Sequence, residues 1–385
     1  MDRSLLGPCS RRDALGRAAL LGGVPALTPL LGALGAAPPP PAPRRWDGYD
    51  RALVVDMLAS PGPFNTTLPA TPLTPAMVRN ARESGITAIN LTTDSVDFAA
   101  TLRRMATWER EINEAPDTFL RVRTVADLLE AKRTGRLGII YGFQGINPFS
   151  GDLANVAPLA AFGVRIVQLT YNVRTLAGDG SLESGNAGIS SWGRDLIGEL
   201  EKHRVIVDFS HAGRATTTTG IAACTRPPAI SHTGCAALAN VPRNQEDAAL
   251  RAMADKGGVA GIYLMPFLTP GRQPTTADVV AHIEHAVNVC GEDHVGIGSD
   301  LSITPHVVDE GYVKDHQAFV RRRQQLGIAA PGEDPSVYFF VPELNTPRRL
   351  ERIADALLAR RHPASRVEKI IGGNFVRLLR DVWGR

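Results

Sequence analysis

Cysteine is scarce in this chain. Four occur in 385 residues, Cys9 near the start and then Cys224, Cys235 and Cys290, with no C-x-x-C spacing among them. That excludes a disulfide framework and a thiolate metal site, and leaves buried free thiols as the ordinary reading. Aromatic residues make up only 6%, and the charges nearly cancel at a formal +3. Residues 1–37 hold Arg3, Arg11, Arg12 and Arg17 against Asp2 and Asp13, so four minus two, or +2, of that charge lies there. The near-neutral remainder excludes an electrostatic footprint for nucleic acid. No G-x-G-x-x-G follows the first predicted strand, which argues against a dinucleotide-binding open sheet. One further absence bears on chemistry: after that strand, Asp56-Met57-Leu58-Ala59-Ser60 offers no histidine and no second carboxylate.

What is present divides into three parts. Residues 1–37 read as a targeting segment, in which Arg11-Arg12 precedes an apolar stretch from Ala18 to Ala37. Paired arginines before a weakly apolar run predict twin-arginine export, and so a periplasmic or otherwise exported protein. Gly22, Gly23, Pro25 and Pro29 make the stretch a poor spanning helix, so no stable membrane span is expected once the signal is removed. Residues 38–47 form a Pro-rich linker, and residues 48–385 a single α/β domain whose assembly, for instance as a homodimer, stays open.

Within that domain, runs rich in β-branched residues alternate with helical patterns. They fall at residues 52–57, 88–91, 137–142, 165–169, 205–209, 229–231, 259–264 and 295–298, and eight is the count for a closed (β/α)8 TIM-type barrel. Thr74-Pro75, Thr124 before residues 125–133 with Gly135 behind, and Thr275 before residues 277–289 are helix-start and helix-stop signals. Residues 301–347, rich in charge, proline and glycine, follow the last strand on the active-site face and are expected to shape the pocket. Two helices, over residues 347–361 and 363–383, are expected to close the fold.

Active sites of such barrels lie at the C-terminal strand ends. These positions hold Gln144, Tyr171, His211, His232 and Asp300, and two histidines with an aspartate on one rim suit a catalytic zinc site with an open position. His282 and His285 on a predicted helix, and Arg321-Arg322-Arg323, read as solvated faces. His306 and His316 sit in the segment after the last strand, where either could swing in as a replacement ligand.

Longer motifs make the reading specific. Asp208-Phe209-Ser210-His211, Ile230-Ser231-His232, Val241-Pro242-Arg243-Asn244, Gly296-Ile297-Gly298-Ser299-Asp300, Leu169-Thr170-Tyr171-Asn172 and Gly372-Gly373-Asn374-Phe375 together resemble the membrane (renal) dipeptidase family of zinc hydrolases. The resemblance runs from about Ala52 to Val382 and implies an amidohydrolase-like barrel with two bridged zinc ions that cleaves dipeptides. By it, His211 and His232 match the histidine pair of one zinc, and Asp300 the aspartate of the other, which also handles a proton. Arg243 matches the arginine that takes the substrate carboxylate, a task suited to a planar charged fork. Tyr171 stands where some members have a histidine that steadies the tetrahedral intermediate. Leu58 and Ser60 stand in for both ligands of the first zinc, and Gln144 for the bridging glutamate. One zinc on His211, His232 and either Asp300 or, as a weak ligand, the Gln144 carbonyl is therefore expected instead of two. The expected function is an exported metallodipeptidase-like hydrolase acting on dipeptides or related small amides. The alternative is a non-catalytic exported binding protein that keeps the carboxylate pocket.

Overall fold

The computed structural model describes residues 45–384, so the targeting segment and nearly all of the linker lie outside the described residues. Among the described residues eleven strands are formed: β1 (Val55–Asp56), β2 (Ala59–Ser60), β3 (Ala88–Thr92), β4 (Phe119–Val122), β5 (Leu137–Phe143), β6 (Val164–Gln168), β7 (Ile206–Asp208), β8 (Ala229–Thr233), β9 (Val259–Ile262), β10 (Val295–Ile297) and β11 (Leu301–Ser302). Neighbours run β3-β1-β10-β9-β8-β7-β6-β5, and β5 pairs back to β3, which closes an eight-stranded parallel barrel. The ninth strand of that sheet, β4, lies against the first half of β5, whose second half pairs with β6. It was not expected from the sequence. Its pattern is broken by Arg121, whose guanidinium carbon lies 3.1 Å from the centre of the Tyr141 ring, so the charged residue packs flat instead of facing water.

The strand starts supply the apolar plug. Val55, Ala88, Ile140, Ile166, Ile206, Ala229 and Val259 form one buried cluster with Phe375, Leu378, Leu379 and Val382 of the helix Asn374–Trp383. Burying each of the valine, isoleucine, leucine and phenylalanine side chains contributes roughly 1.5–3 kcal/mol. The chain reaches this helix past Gly372, where a Cβ would stand 2.1 Å from the Leu53 carbonyl oxygen, so only glycine permits the approach to β1.

The local signals act where expected. Thr74 and Thr124 cap the helices Pro75–Glu83 and Val125–Thr134, the second ending at Gly135 with φ 67°, and Thr275 opens Thr276–Cys290. His282, however, is not on a solvated face. It is buried, its Nδ1 accepting from the Cys235 amide at 3.0 Å and its Nε2–H donating to the Leu268 carbonyl at 3.1 Å. The loop between β8 and the next helix needs that anchor more than the helix needs a polar outer face.

Candidate active site

His211 and Asp300 follow β7 and β10 directly, and both hold left-handed backbone angles, φ 64° and 62°. Non-glycine residues adopt that region at a cost of about 1–3 kcal/mol, and such strain clusters at functional sites. Asp300 is pinned there by its own amide, which donates to the Leu58 carbonyl at 2.8 Å, and by Asn65, which donates to the Asp300 carbonyl at 2.7 Å. His232 lies within β8. The two imidazoles meet at 5.0 Å between ring centres, and the Tyr171 ring stacks on His211 at 4.1 Å.

Each histidine has its tautomer fixed from behind. The Asn172 amide donates to the Ile328 carbonyl at 3.1 Å, which turns its oxygen toward His211, and Nδ1–H of His211 donates to that oxygen at 2.7 Å. For His232 the support is a relay: the Ser231 hydroxyl donates to Asp208 at 2.5 Å, so Nδ1–H of His232 must donate to the Ser231 oxygen at 2.8 Å. Both Nε2 atoms thus carry lone pairs. That of His211 accepts from Arg243 Nη2 at 3.2 Å, and that of His232 is buried without a partner among the described residues. Burial, and then the charge of Arg243, hold both histidines well below the ordinary histidine range, so both are neutral.

Arg243 is the centre of the site. It is buried, and its guanidinium lies 5.8 Å from the centre of Tyr263 and 5.9 Å from that of Phe267. Opposite in charge stands Asp300, whose carboxyl is pushed up to about 7 by burial, with Arg243 the first influence against it. The Tyr171 hydroxyl is raised by burial, with Arg323 the first influence against it. Gln144 follows β5, half-buried; its backbone amide donates to Asp94 at 2.9 Å, and its side chain makes no hydrogen bond among the described residues.

Residues expected to share a metal are only partly brought together. Among the described residues no three His, Cys, Asp or Glu side chains are grouped so as to hold an ion. His211 and His232 stand as a pair, with Arg243 on the His211 lone pair, and Asp300 is not grouped with them as a ligand cluster. His316 does not reach the site either, since it is buried with Nε2 on the Val337 carbonyl at 3.0 Å, and His306 stacks on Phe340. A two-ion centre does not fit these residues: Leu58 is an aliphatic side chain, fully buried, and Gln144 is neutral. The donor chemistry does fit one ion, with two neutral imidazoles and a free Nε2 on His232, once Arg243 releases His211.

Several participants escaped the sequence reading. Asn172, Asp208 and Ser231 stood inside the quoted motifs but had no role there, while Asn65 and Arg323 had no local signal. The fold is a closed parallel barrel with the candidate site at its C-terminal mouth. A sequence profile described as membrane dipeptidase (peptidase family M19) matches residues 86–322, more than half of the chain. The chain belongs to this metallopeptidase family. It is similar to dipeptidase verJ of Clonostachys rogersoniana, 30% identical over 52% of this chain and 53% of that one, and to dipeptidase tcpJ of Claviceps purpurea, 27% identical over 66% and 53%. The chain thus spans about half the length of these curated relatives. Among solved structures, an amidohydrolase from Pseudomonas aeruginosa superimposes with a TM-score of 0.75 at 30% identity, covering 88% of this chain and 98% of that one. A metallo peptidase from Rhodobacter sphaeroides, liganded with a phosphinate mimic of a dipeptide, shares the fold at a TM-score of 0.68 and 16% identity, over 86% and 99%.

Proposed function

We propose that this chain is a dipeptidase-like hydrolase that takes a dipeptide or related small amide by its free carboxylate on Arg243. One observation carries this: the buried Arg243 guanidinium forms no ion pair among the described residues, and its one side-chain hydrogen bond is to a neutral imidazole. A buried cation without a counter-charge is costly, and an anionic ligand group removes that cost. A bidentate carboxylate on this fork also fixes the ligand's orientation.

The neighbouring groups then have work to do on the bound ligand. Tyr171, protonated well above neutral pH, donates to the oxygen on which charge develops. Asp300, poised near neutrality, holds or passes a proton. His211 and His232 would hold a single zinc, which when bound supplies Lewis acidity toward a carbonyl and activates water. The burial of leucine at position 58 and the neutral amide at 144 favour a second reading, a binding protein without turnover.

Metal content per chain, measured on the same sample as dipeptide turnover, separates the two. About one zinc with turnover supports the hydrolase. Dipeptide binding without hydrolysis, even with zinc or manganese in excess, leaves the binder. Export is proposed on Arg11 and Arg12, which lie outside the described residues; normal export of the double lysine variant would show that another route is used.

A further inference from the structure

The helix Glu310–Gln325 belongs to the long segment after the last barrel strand, and three consecutive arginines stand near its end. Arg321 and Arg322 are exposed, as a solvated face requires. Arg323 turns the other way. Its Nε and Nη2 donate to the two oxygens of the buried Glu333 carboxylate at 2.7 and 2.9 Å. Nη2 also reaches the Ile328 carbonyl at 3.3 Å, and that same oxygen accepts the Asn172 amide at 3.1 Å. Asn172 is the group that fixes the His211 tautomer, and its neighbour Tyr171 is the ring stacked on His211. One carbonyl therefore ties an arginine of the outer segment to the two residues that build one wall of the pocket. The tie is electrostatic as well. Of the influences that oppose the upward push of burial on the Tyr171 hydroxyl, the charge of Arg323 comes first, and the same charge acts on His211 and Asp300.

A guanidinium held along one edge by both oxygens of a buried carboxylate cannot swing away, so its field on the pocket is fixed in direction. A phenol beside such a cation is a stronger hydrogen-bond donor than one in an apolar wall. We propose that Arg323 is a positioning residue of this pocket: through the Ile328 carbonyl and through its charge, it holds Tyr171 so that the phenol donates to an oxyanion on the bound ligand. The proposal rests on the dipeptide-like reading given above. It makes the segment after the last strand part of the site, since the donor strength of Tyr171 is set from there.

The test is calorimetric binding to the full chain of two ligands, the dipeptide Ala-Ala and its phosphinate analogue, in which a tetrahedral anionic group replaces the planar amide. The wild type is expected to bind the phosphinate at least about tenfold more tightly. Arg323→Met should remove most of that preference while leaving Ala-Ala affinity within about twofold, Tyr171→Phe should remove the same preference, and the double variant should lose no more of it, because both changes remove one shared interaction. Arg323→Lys should restore part of it. A merely structural role would weaken both ligands alike. Retention of the preference in Arg323→Met, or additive losses in the double variant, overturns the proposal. Should Arg323→Met not fold, Arg323→Gln keeps donors for Glu333 and Ile328 without the charge and is read by the same outcomes. If the wild type binds neither ligand, the dipeptide-like reading falls and this proposal with it. Equal binding of both ligands, each lost in Arg243→Ala, leaves that reading intact and overturns only the role of Arg323.

Discussion

Replacing Arg243 by methionine should make the protein more stable and less able to bind its ligand. Wild-type Arg243 is 2% exposed, and its one side-chain hydrogen bond among the described residues is to the neutral His211 imidazole. Desolvating such an ion costs several kcal/mol even after relaxation. The hydrogen bond to His211 offsets about 1 kcal/mol of this. The rings of Tyr263 and Phe267, at 5.8 and 5.9 Å, offset about 0.5–1 kcal/mol each. Asp300 adds little, because its own carboxyl is pushed up to about 7 and is only partly ionised at neutral pH. Methionine fills most of the same volume without the charge. The net expectation is a gain of about 1–3 kcal/mol, which for a domain of this size raises the unfolding midpoint by roughly 1–4 °C. Binding of Ala-Ala should weaken by about 2–5 kcal/mol, on the order of 30-fold to several thousand-fold. Amidated dipeptides, lacking the carboxylate, should bind wild type and variant alike. Thermal unfolding and titration calorimetry on the same preparations check both halves. A variant that melts below the wild type and keeps its affinity would refute the view of Arg243 as a buried cation waiting for an anion.

Asp300→Asn should cut turnover strongly and leave dipeptide affinity within a few-fold, since the carboxyl's proton is needed only on the way to the transition state; parallel losses in kcat and affinity would contradict this. Asp56 gives a pH test. Burial raises its carboxyl from 3.8 to about 6, so between those values the folded chain binds more protons than the unfolded one and stability falls as pH rises. Asp56→Asn lacks this penalty, so relative to wild type it should gain up to about 3 kcal/mol between about pH 4 and 7 in urea unfolding, and parallel curves would argue against it. His232→Ala should abolish bound zinc, because it removes the imidazole of the pair whose Nε2 is free, whereas undiminished zinc by elemental analysis would place the ion elsewhere.

The barrel was legible in the sequence because its strands are buried on both faces and so read as continuous apolar runs, as at Leu53-Val54-Val55 and Val205-Ile206-Val207. The rim positions followed from that register: a residue at or just past the end of a parallel strand stands at the C-terminal mouth, with His232 near the end of β8 and His211 and Asp300 beyond β7 and β10. Arg243 and Tyr171 were legible through their motifs. Other features depended on which way a side chain turns, and local sequence does not decide that. Arg321, Arg322 and Arg323 are chemically identical neighbours, yet only the third meets a buried carboxylate ten residues on and a carbonyl shared with Asn172. His282 was read as solvated because its helix spacing is polar, and it is buried because the β8 loop folds over it. β4 escaped notice because Arg121 finds its apolar partner, Tyr141, only once β4 and β5 pair. The site residues were set by position along each strand; whether three of them form a ligand cluster or surround a guanidinium was set by packing between strands far apart in the chain, where Arg243 reaches His211 across 32 residues and its charge reaches Asp300 across the barrel mouth.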